Sequence, residues 1–155
     1  MICKDLEFKF FYSFTVLFFL SSCHLIQKTK KLNFQFPLKK YHLTQKYKAF
    51  HKKLHLGIDL KAPLGTPVLS VERGIVVYVG SQFTGYGKVI LIEHSPHWTS
   101  LYAHLNSFQV KLGQKLQKGQ QIGTVGQTGK ATGVHLHFEL FFNKKNVNPL
   151  NYFKY

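Results

Sequence analysis

Short apolar runs separated by glycine and proline characterise the chain from about residue 41 onward. Runs of this length that are rich in β-branched and aromatic residues are typical of β-strands. The clearest runs cover residues 67–71, 74–79, 88–93, 98–105 and 135–142. A tight turn at Glu72-Arg73-Gly74 is expected between the first two of them. No long helical period is present, so the pattern predicts an all-β, mostly antiparallel domain over residues 41–155, with few or no helices.

The last of these runs, residues 135–142, alternates strictly between apolar and polar positions. The apolar positions would share one strand face and enter the core: Leu136, Phe138, Leu140 and Phe142. His135, His137 and Glu139 would share the other face, with the two histidines about 6–7 Å apart at their Cα atoms. One of them can bind a metal while the other lies beside it, although an isolated pair of this kind more often consists of two surface histidines.

Two further segments carry candidate metal-binding chemistry. His55 and Asp59 would be about 13 Å apart in a straight strand, and Gly57 between them permits a bend that brings them together. Imidazole and carboxylate are ordinary zinc ligands. His104 lies in the run 98–105, and alternation places it on the strand face of Trp98, Ser100 and Tyr102.

The three segments together, His55-Leu56-Gly57-Ile58-Asp59, Tyr102-Ala103-His104-Leu105 and His135-Leu136-His137, resemble the lysostaphin-like (LytM-type) zinc endopeptidases of the bacterial cell wall. The turn 62–68, the glycine-rich stretch 119–133 and Asn148-Pro149-Leu150 are also similar to that family. The resemblance covers about residues 42–152.

The resemblance implies a zinc site in a groove, with one Zn²⁺ per chain held by His55, Asp59 and His137. It also implies that His104 and His135 are the catalytic pair. Three protein ligands leave an open position for water, as hydrolysis requires. Glu139 is a candidate for orienting a ligand histidine, the alternative being an exposed or salt-bridged carboxylate.

The N-terminal residues predict export and anchoring. Residues 10–20 form an apolar run of eleven, which is too short to span a bilayer and fits the hydrophobic region of a signal peptide. Leu20-Ser21-Ser22-Cys23 resembles the lipobox of bacterial lipoproteins. We therefore expect a signal peptide over residues 1–22, a lipid on Cys23 and a basic tether over residues 23–40. An uncleaved membrane anchor or a buried N-terminal strand are the alternatives.

Net charge narrows the class of partner. The formal charge is +15, with 21 Lys and Arg residues against six acidic residues. Such a surface attracts a polyanion, which includes nucleic acid, anionic lipid and bacterial wall polymer. Export and the metal-binding set argue against nucleic acid. We expect a lipoprotein of the bacterial cell envelope, anchored in the membrane through Cys23. In a Gram-negative source, His24 after the cysteine is compatible with an outer-membrane protein that faces the periplasm.

The leading functional hypothesis is a zinc metalloendopeptidase that hydrolyses the peptide cross-links of peptidoglycan. The alternative is a non-enzymatic wall-binding lipoprotein of the same fold that activates a separate amidase. Members of that second kind lack ligands or catalytic histidines, whereas all five residues are present here. The scissile bond stays open between glycyl-glycine and D-Ala to diaminopimelate links.

Overall fold

Antiparallel pairing organises the chain, which the computed structural model describes over residues 32–49 and 54–153. In chain order, the strands of these residues are β1 (His42–Gln45), β2 (Ile58–Lys61), β3 (Pro67–Leu69), β4 (Gly74–Gly80), β5 (Val89–Ser95), β6 (Trp98–Ala103), β7 (Ser107–Phe108), β8 (Lys115–Leu116), β9 (Gln121–Thr124), β10 (Leu136–Phe142) and β11 (Lys145–Val147). A 3₁₀ turn follows at Pro149–Asn151.

Two sheets are built from these strands. The larger one has eight strands in the order β1-β2-β10-β6-β5-β4-β8, and β11 pairs with β10 beside this path. The smaller one has the order β3-β9-β7. Strands β2, β10 and β6 are therefore adjacent. Asp59 lies in β2, His137 and Glu139 lie in β10, and His104 directly follows β6.

The predicted fold class is confirmed, and the five predicted strands correspond to β3, β4, β5, β6 and β10. A turn was expected between the first two, at Glu72-Arg73-Gly74, and the structure has a bend at residues 71–73. Because β3 belongs to the smaller sheet and β4 to the larger, this bend connects the two sheets.

The main core contains residues from both sheets. Val68 of β3 and Ile122 of β9 are fully buried in the same cluster as Ile90, Tyr102 and other residues of the larger sheet. Leu136, Phe138 and Leu140 enter this core as the alternation predicted. Phe142 does not: it is 40% exposed, because it is the last residue of β10 and lies against Trp98 at the sheet end.

A second correction concerns the predicted tether. Phe34 and Leu38 are buried in the main core, and Phe34 pairs with Phe153 in an isolated bridge. Leu69 N–H donates to Pro37 O, which joins this segment to the smaller sheet. Residues 33–40 therefore pack on the domain, because two large apolar side chains among the lysines gain more from burial than from solvation.

His94 of β5 is buried. Its Nδ1 lies 2.9 Å from Arg73 O and its Nε2 lies 2.8 Å from Ser100 Oγ. Burial lowers the pKa of His94, so the ring is held in its neutral form.

Within residues 32–49 and 54–153, no helix is long and apolar enough to cross a bilayer. The predicted signal peptide and Cys23 lie outside the described residues.

Candidate metal centre

Strand register places Asp59 directly opposite His137. The β2–β10 ladder pairs these two residues, and on the other side of β10 His137 pairs with Ala103 of β6. Residues that are far apart in sequence thus become neighbours on one face of three adjacent strands.

Because residue 57 is a glycine, the chain passes close to β10, and this places His55 beside Asp59 and His137. A Cβ at this position would lie 2.4 Å from Phe138 O and 3.0 Å from His137 Cε1. The glycine was expected to permit a bend. The structure adds that any side chain here would collide with the strand that carries His137.

Three possible ligand atoms lie within 4.8 Å of one another, one each from His55, Asp59 and His137. Asp59 Oδ1 lies 2.7 Å from His137 Nδ1 and 3.1 Å from His55 Nε2. Two imidazole nitrogens and one carboxylate oxygen form a donor set that suits zinc, so the residues fit the metal that the sequence predicted. The cluster is able to bind a metal ion.

The three side chains of the cluster shift one another's pKa values. Burial lowers the pKa of His137, but hydrogen bonds with Asp59 and Glu139 outweigh it and raise it to about 9, so a metal ion has to displace a proton from this ring. Burial raises the pKa of Asp59, but hydrogen bonds with His137 and His55 outweigh it, so the pKa lies well below its usual range. Asp59 is therefore an anion. His55 Nδ1 lies 3.0 Å from Lys46 O, and because a carbonyl only accepts, this nitrogen carries the hydrogen and Nε2 faces Asp59.

His104 reaches the centre through an unusual backbone conformation. Strand β6 ends at Ala103, and His104 has a φ of 60°, in the left-handed region that non-glycine residues rarely adopt. Alternation had placed His104 on the same face as Tyr102, and the structure shows that Tyr102 is buried in the core. The positive φ reverses this, so the ring lies beside His135 and His137, while Leu105 enters the core.

The rings of His104 and His135 are both held through Nδ1. His104 Nδ1 lies 2.9 Å from Thr128 O, and His135 Nδ1 lies 2.8 Å from Gly133 O. Both carbonyls only accept, so each neutral ring carries its hydrogen on Nδ1 and its lone pair on Nε2. His135 Nε2 is 3.8 Å from Asp59 Oδ1. Burial lowers the pKa of His104, which favours its neutral, proton-accepting form.

A groove of about 430 Å³ opens above these residues. Gln45 and Leu54 line it on one side, and Thr84, Lys130 and Thr132 also border it. All five predicted metal-binding and catalytic residues line the same groove.

The sequence did not point to two further side chains at this centre. Tyr86 Oη donates to Glu139 Oε1 at 2.7 Å, and Asn146 Nδ2 donates to Glu139 Oε2 at 2.7 Å. Glu139 itself lies 3.0 Å from His137 Nε2. Tyr86 sits in a glycine-containing loop and Asn146 in β11, a strand that was not predicted, so no local pattern marked either residue.

Comparison with known families gives one match over most of the domain. Residues 53–149 match the model of peptidase family M23. A lipoprotein of Escherichia coli K12, described as "Uncharacterized lipoprotein YgeR", is 44% identical over 96 residues, which is 62% of this chain and 38% of that protein. This chain spans less than half the length of that protein and of two further curated relatives to which it is similar.

Solved structures agree with this match. A zinc-containing peptidase from Vibrio cholerae superposes with a TM-score of 0.72 and 33% identity, over 76% of this chain and 39% of that one. The catalytic domain of lysostaphin from Staphylococcus simulans superposes with a TM-score of 0.65 and 31% identity, over 72% of this chain and 90% of that one.

Proposed function

The chain belongs to peptidase family M23, and from this premise we propose that it is a zinc endopeptidase that hydrolyses peptide cross-links of bacterial peptidoglycan. The observation that carries the proposal is the convergence of the three ligand atoms of His55, Asp59 and His137, with His104 and His135 beside them in one groove. The proposed complement is one Zn²⁺ per chain.

His55 Nε2, Asp59 Oδ1 and His137 Nδ1 are the atoms that would hold the ion. Bound there, zinc would supply Lewis-acid polarisation of a carbonyl oxygen and a lowered pKa for water. Asp59 contributes a fixed negative charge to the site, since its carboxyl group stays ionised at any pH near neutrality.

The catalytic work of the chain itself falls to His104 and His135. Both residues line the groove that contains the three ligands, and their ring centroids are 4.8 Å apart. One ring accepts the proton of the attacking water. The other stabilises the charge that develops on the carbonyl oxygen or protonates the leaving amine. The carbonyls of Thr128 and Gly133 hold the two rings in the orientation that this requires.

Surface charge supports a wall polymer as the substrate. Of the four acidic residues after Cys23, Asp59 and Glu139 are buried in the metal centre, which leaves Glu72 and Glu93 to offset the lysines of the surface. A strongly cationic exterior favours accumulation on the anionic cell wall.

Digestion of purified peptidoglycan tests this function. We expect the protein to release fragments whose masses identify a cleaved peptide cross-link, a chelator to stop the release, and added zinc to restore it. Asp59→Ala should be inactive. The amidase-activator hypothesis would replace this one if the protein released nothing alone but stimulated an added amidase, and if His104→Ala stimulated it equally.

We also propose that the chain is a lipoprotein of the cell envelope, anchored through Cys23 and, in a Gram-negative source, facing the periplasm. The lipobox-like Leu20-Ser21-Ser22-Cys23 and the description of the Escherichia coli relative as a lipoprotein support this. Labelling with a fatty-acid analogue should mark the wild-type chain. Cys23→Ala should abolish the label and leave the unprocessed precursor, whereas equal labelling of both chains would contradict the proposal.

A further inference from the structure

Glu139 is a buried carboxylate surrounded by hydrogen-bond donors. Only 2% of the residue is exposed. Oε1 accepts from Tyr86 Oη at 2.7 Å and contacts His137 Nε2 at 3.0 Å, and Oε2 accepts from Asn146 Nδ2 at 2.7 Å. A buried charge is costly unless it is paired and hydrogen-bonded, and these three partners meet that condition.

Donors face both carboxylate oxygens of Glu139. The Tyr86 hydroxyl group donates to Oε1, and the amide nitrogen of Asn146, which can only donate, lies at Oε2. Glu139 is therefore the acceptor in these contacts.

An acceptor at this position decides which nitrogen of His137 can bind a metal. His137 Nε2 faces Glu139 and must carry its hydrogen. The lone pair of the neutral ring is then on Nδ1, the atom that lies 2.7 Å from Asp59 Oδ1 in the candidate metal-binding cluster. Glu139 thus sets both the tautomer and the rotation of the ring.

Tyr86 and Asn146 hold Glu139 from two separate elements. Asn146 Nδ2 also lies 3.2 Å from Leu56 O, in the segment between His55 and Gly57, so β11 is tied both to Glu139 and to the first ligand segment. The Tyr86 ring packs against His137 edge to face, with centroids 5.6 Å apart. Through these contacts, Tyr86 and Asn146 act on the metal-binding cluster by way of Glu139 and His137.

We propose that Tyr86 and Asn146 are positioning residues, which fix Glu139 so that His137 offers Nδ1 to the metal. This inference rests on the proposed zinc site. The expected consequence is tighter metal binding, since partners of this kind typically contribute about 10–100-fold to metal affinity.

Zinc affinity of the purified chain, measured by competition with a chromogenic chelator, is the primary test. Tyr86→Phe and Asn146→Leu should each weaken zinc binding by about 10-fold or more, and Glu139→Gln should weaken it further. Tyr152→Phe is the matched control, because that tyrosine packs on Trp98 at the opposite end of β6. It should leave zinc affinity unchanged.

A spectroscopic readout separates positioning from general loss of structure. In zinc-loaded protein with ¹⁵N-labelled histidine, NMR should show His137 with hydrogen on Nε2 and the metal on Nδ1. Tyr86→Phe, which removes one oxygen atom and keeps the ring, should speed exchange of that Nε2 hydrogen with solvent. The melting temperature of the metal-free variant should stay close to that of the wild type.

The outcomes distinguish this inference from the function on which it rests. A wild-type chain that binds no zinc would overturn both. A wild-type chain that binds zinc tightly, with Tyr86→Phe and Asn146→Leu binding equally well and an unchanged His137 Nε2–H signal, would overturn the positioning role alone.

Discussion

The imidazole rings of His104 and His135 lie with their centroids 4.8 Å apart, each held at Nδ1 by a backbone carbonyl. Neither contributes an atom to the cluster formed by His55, Asp59 and His137. In the proposed mechanism, the two functions of metal binding and proton transfer therefore belong to different side chains and can be separated by substitution.

Removal of either ring should abolish most hydrolysis without removing the metal. We expect His104→Ala and His135→Ala to keep zinc and to lose about 10²–10⁴-fold in rate on cross-linked peptidoglycan. The double variant should lose little more than either single variant, because both rings act on one transition state. Metal content and rate must be measured on the same preparations. Loss of zinc from His135→Ala with retention in His137→Ala would show that the two histidines have exchanged roles.

Gly57→Ala should destabilise the domain and weaken the metal centre together. The added methyl group would lie 2.4 Å from Phe138 O and 3.0 Å from His137 Cε1, so β10 must move. Overpacking of this kind costs about 1–3 kcal/mol of unfolding free energy. Denaturant titration measures it. Gly133→Ala is the control, because a Cβ there meets no atom within 4 Å, and an equal loss in both variants would contradict the steric explanation.

His94 should make the fold less stable in weak acid. Burial lowers its pKa in the folded state below the ordinary value of 6.5, so the unfolded chain binds more protons as the pH falls. The contribution of His94 to the free energy of unfolding is complete above pH 6.5. It decreases by up to about 1.4 kcal/mol per pH unit as the pH falls from 6.5 towards the pKa of His94 in the folded state.

The unfolding free energy of His94→Gln, measured between pH 7.5 and 5, should depend less on pH than that of the wild type. Exposed His97 provides the control, and His97→Gln should follow the wild-type curve. Identical pH dependence in His94→Gln and wild type would exclude His94 as the source.

Residues 33–40 should contribute to the stability of the domain. Phe34 is 1% exposed and packs edge to face against His94 and Trp98, so Phe34→Ala should cost about 3–5 kcal/mol of unfolding free energy. Phe142→Ala, at a position that is 40% exposed, should cost clearly less. A chain that begins at Leu32 should be more stable than a chain that begins at Tyr41. Equal stability of the two would support a tether that extends to residue 40, as the sequence predicted.

Local patterns in the sequence determined the fold class and the central strand of the site. Alternation over residues 135–142 is a property of the strand itself, so it correctly separated His135, His137 and Glu139 from the core positions Leu136, Phe138 and Leu140. The family resemblance also rested on short segments, and the match to peptidase family M23 confirms it.

Features that depend on contacts between distant segments required the tertiary structure. The side of β6 that His104 faces is decided by one residue with positive φ, which no alternation rule can anticipate. Phe34 and Leu38 are buried because the two sheets leave room for them, although their lysine-rich surroundings predict solvation. Tyr86 and Asn146 meet at Glu139 only after β10, β11 and the loop before β5 have assembled. The periodicity of a strand depends on neighbouring residues, whereas the hydrogen-bond partners of a buried charge depend on packing across the whole domain.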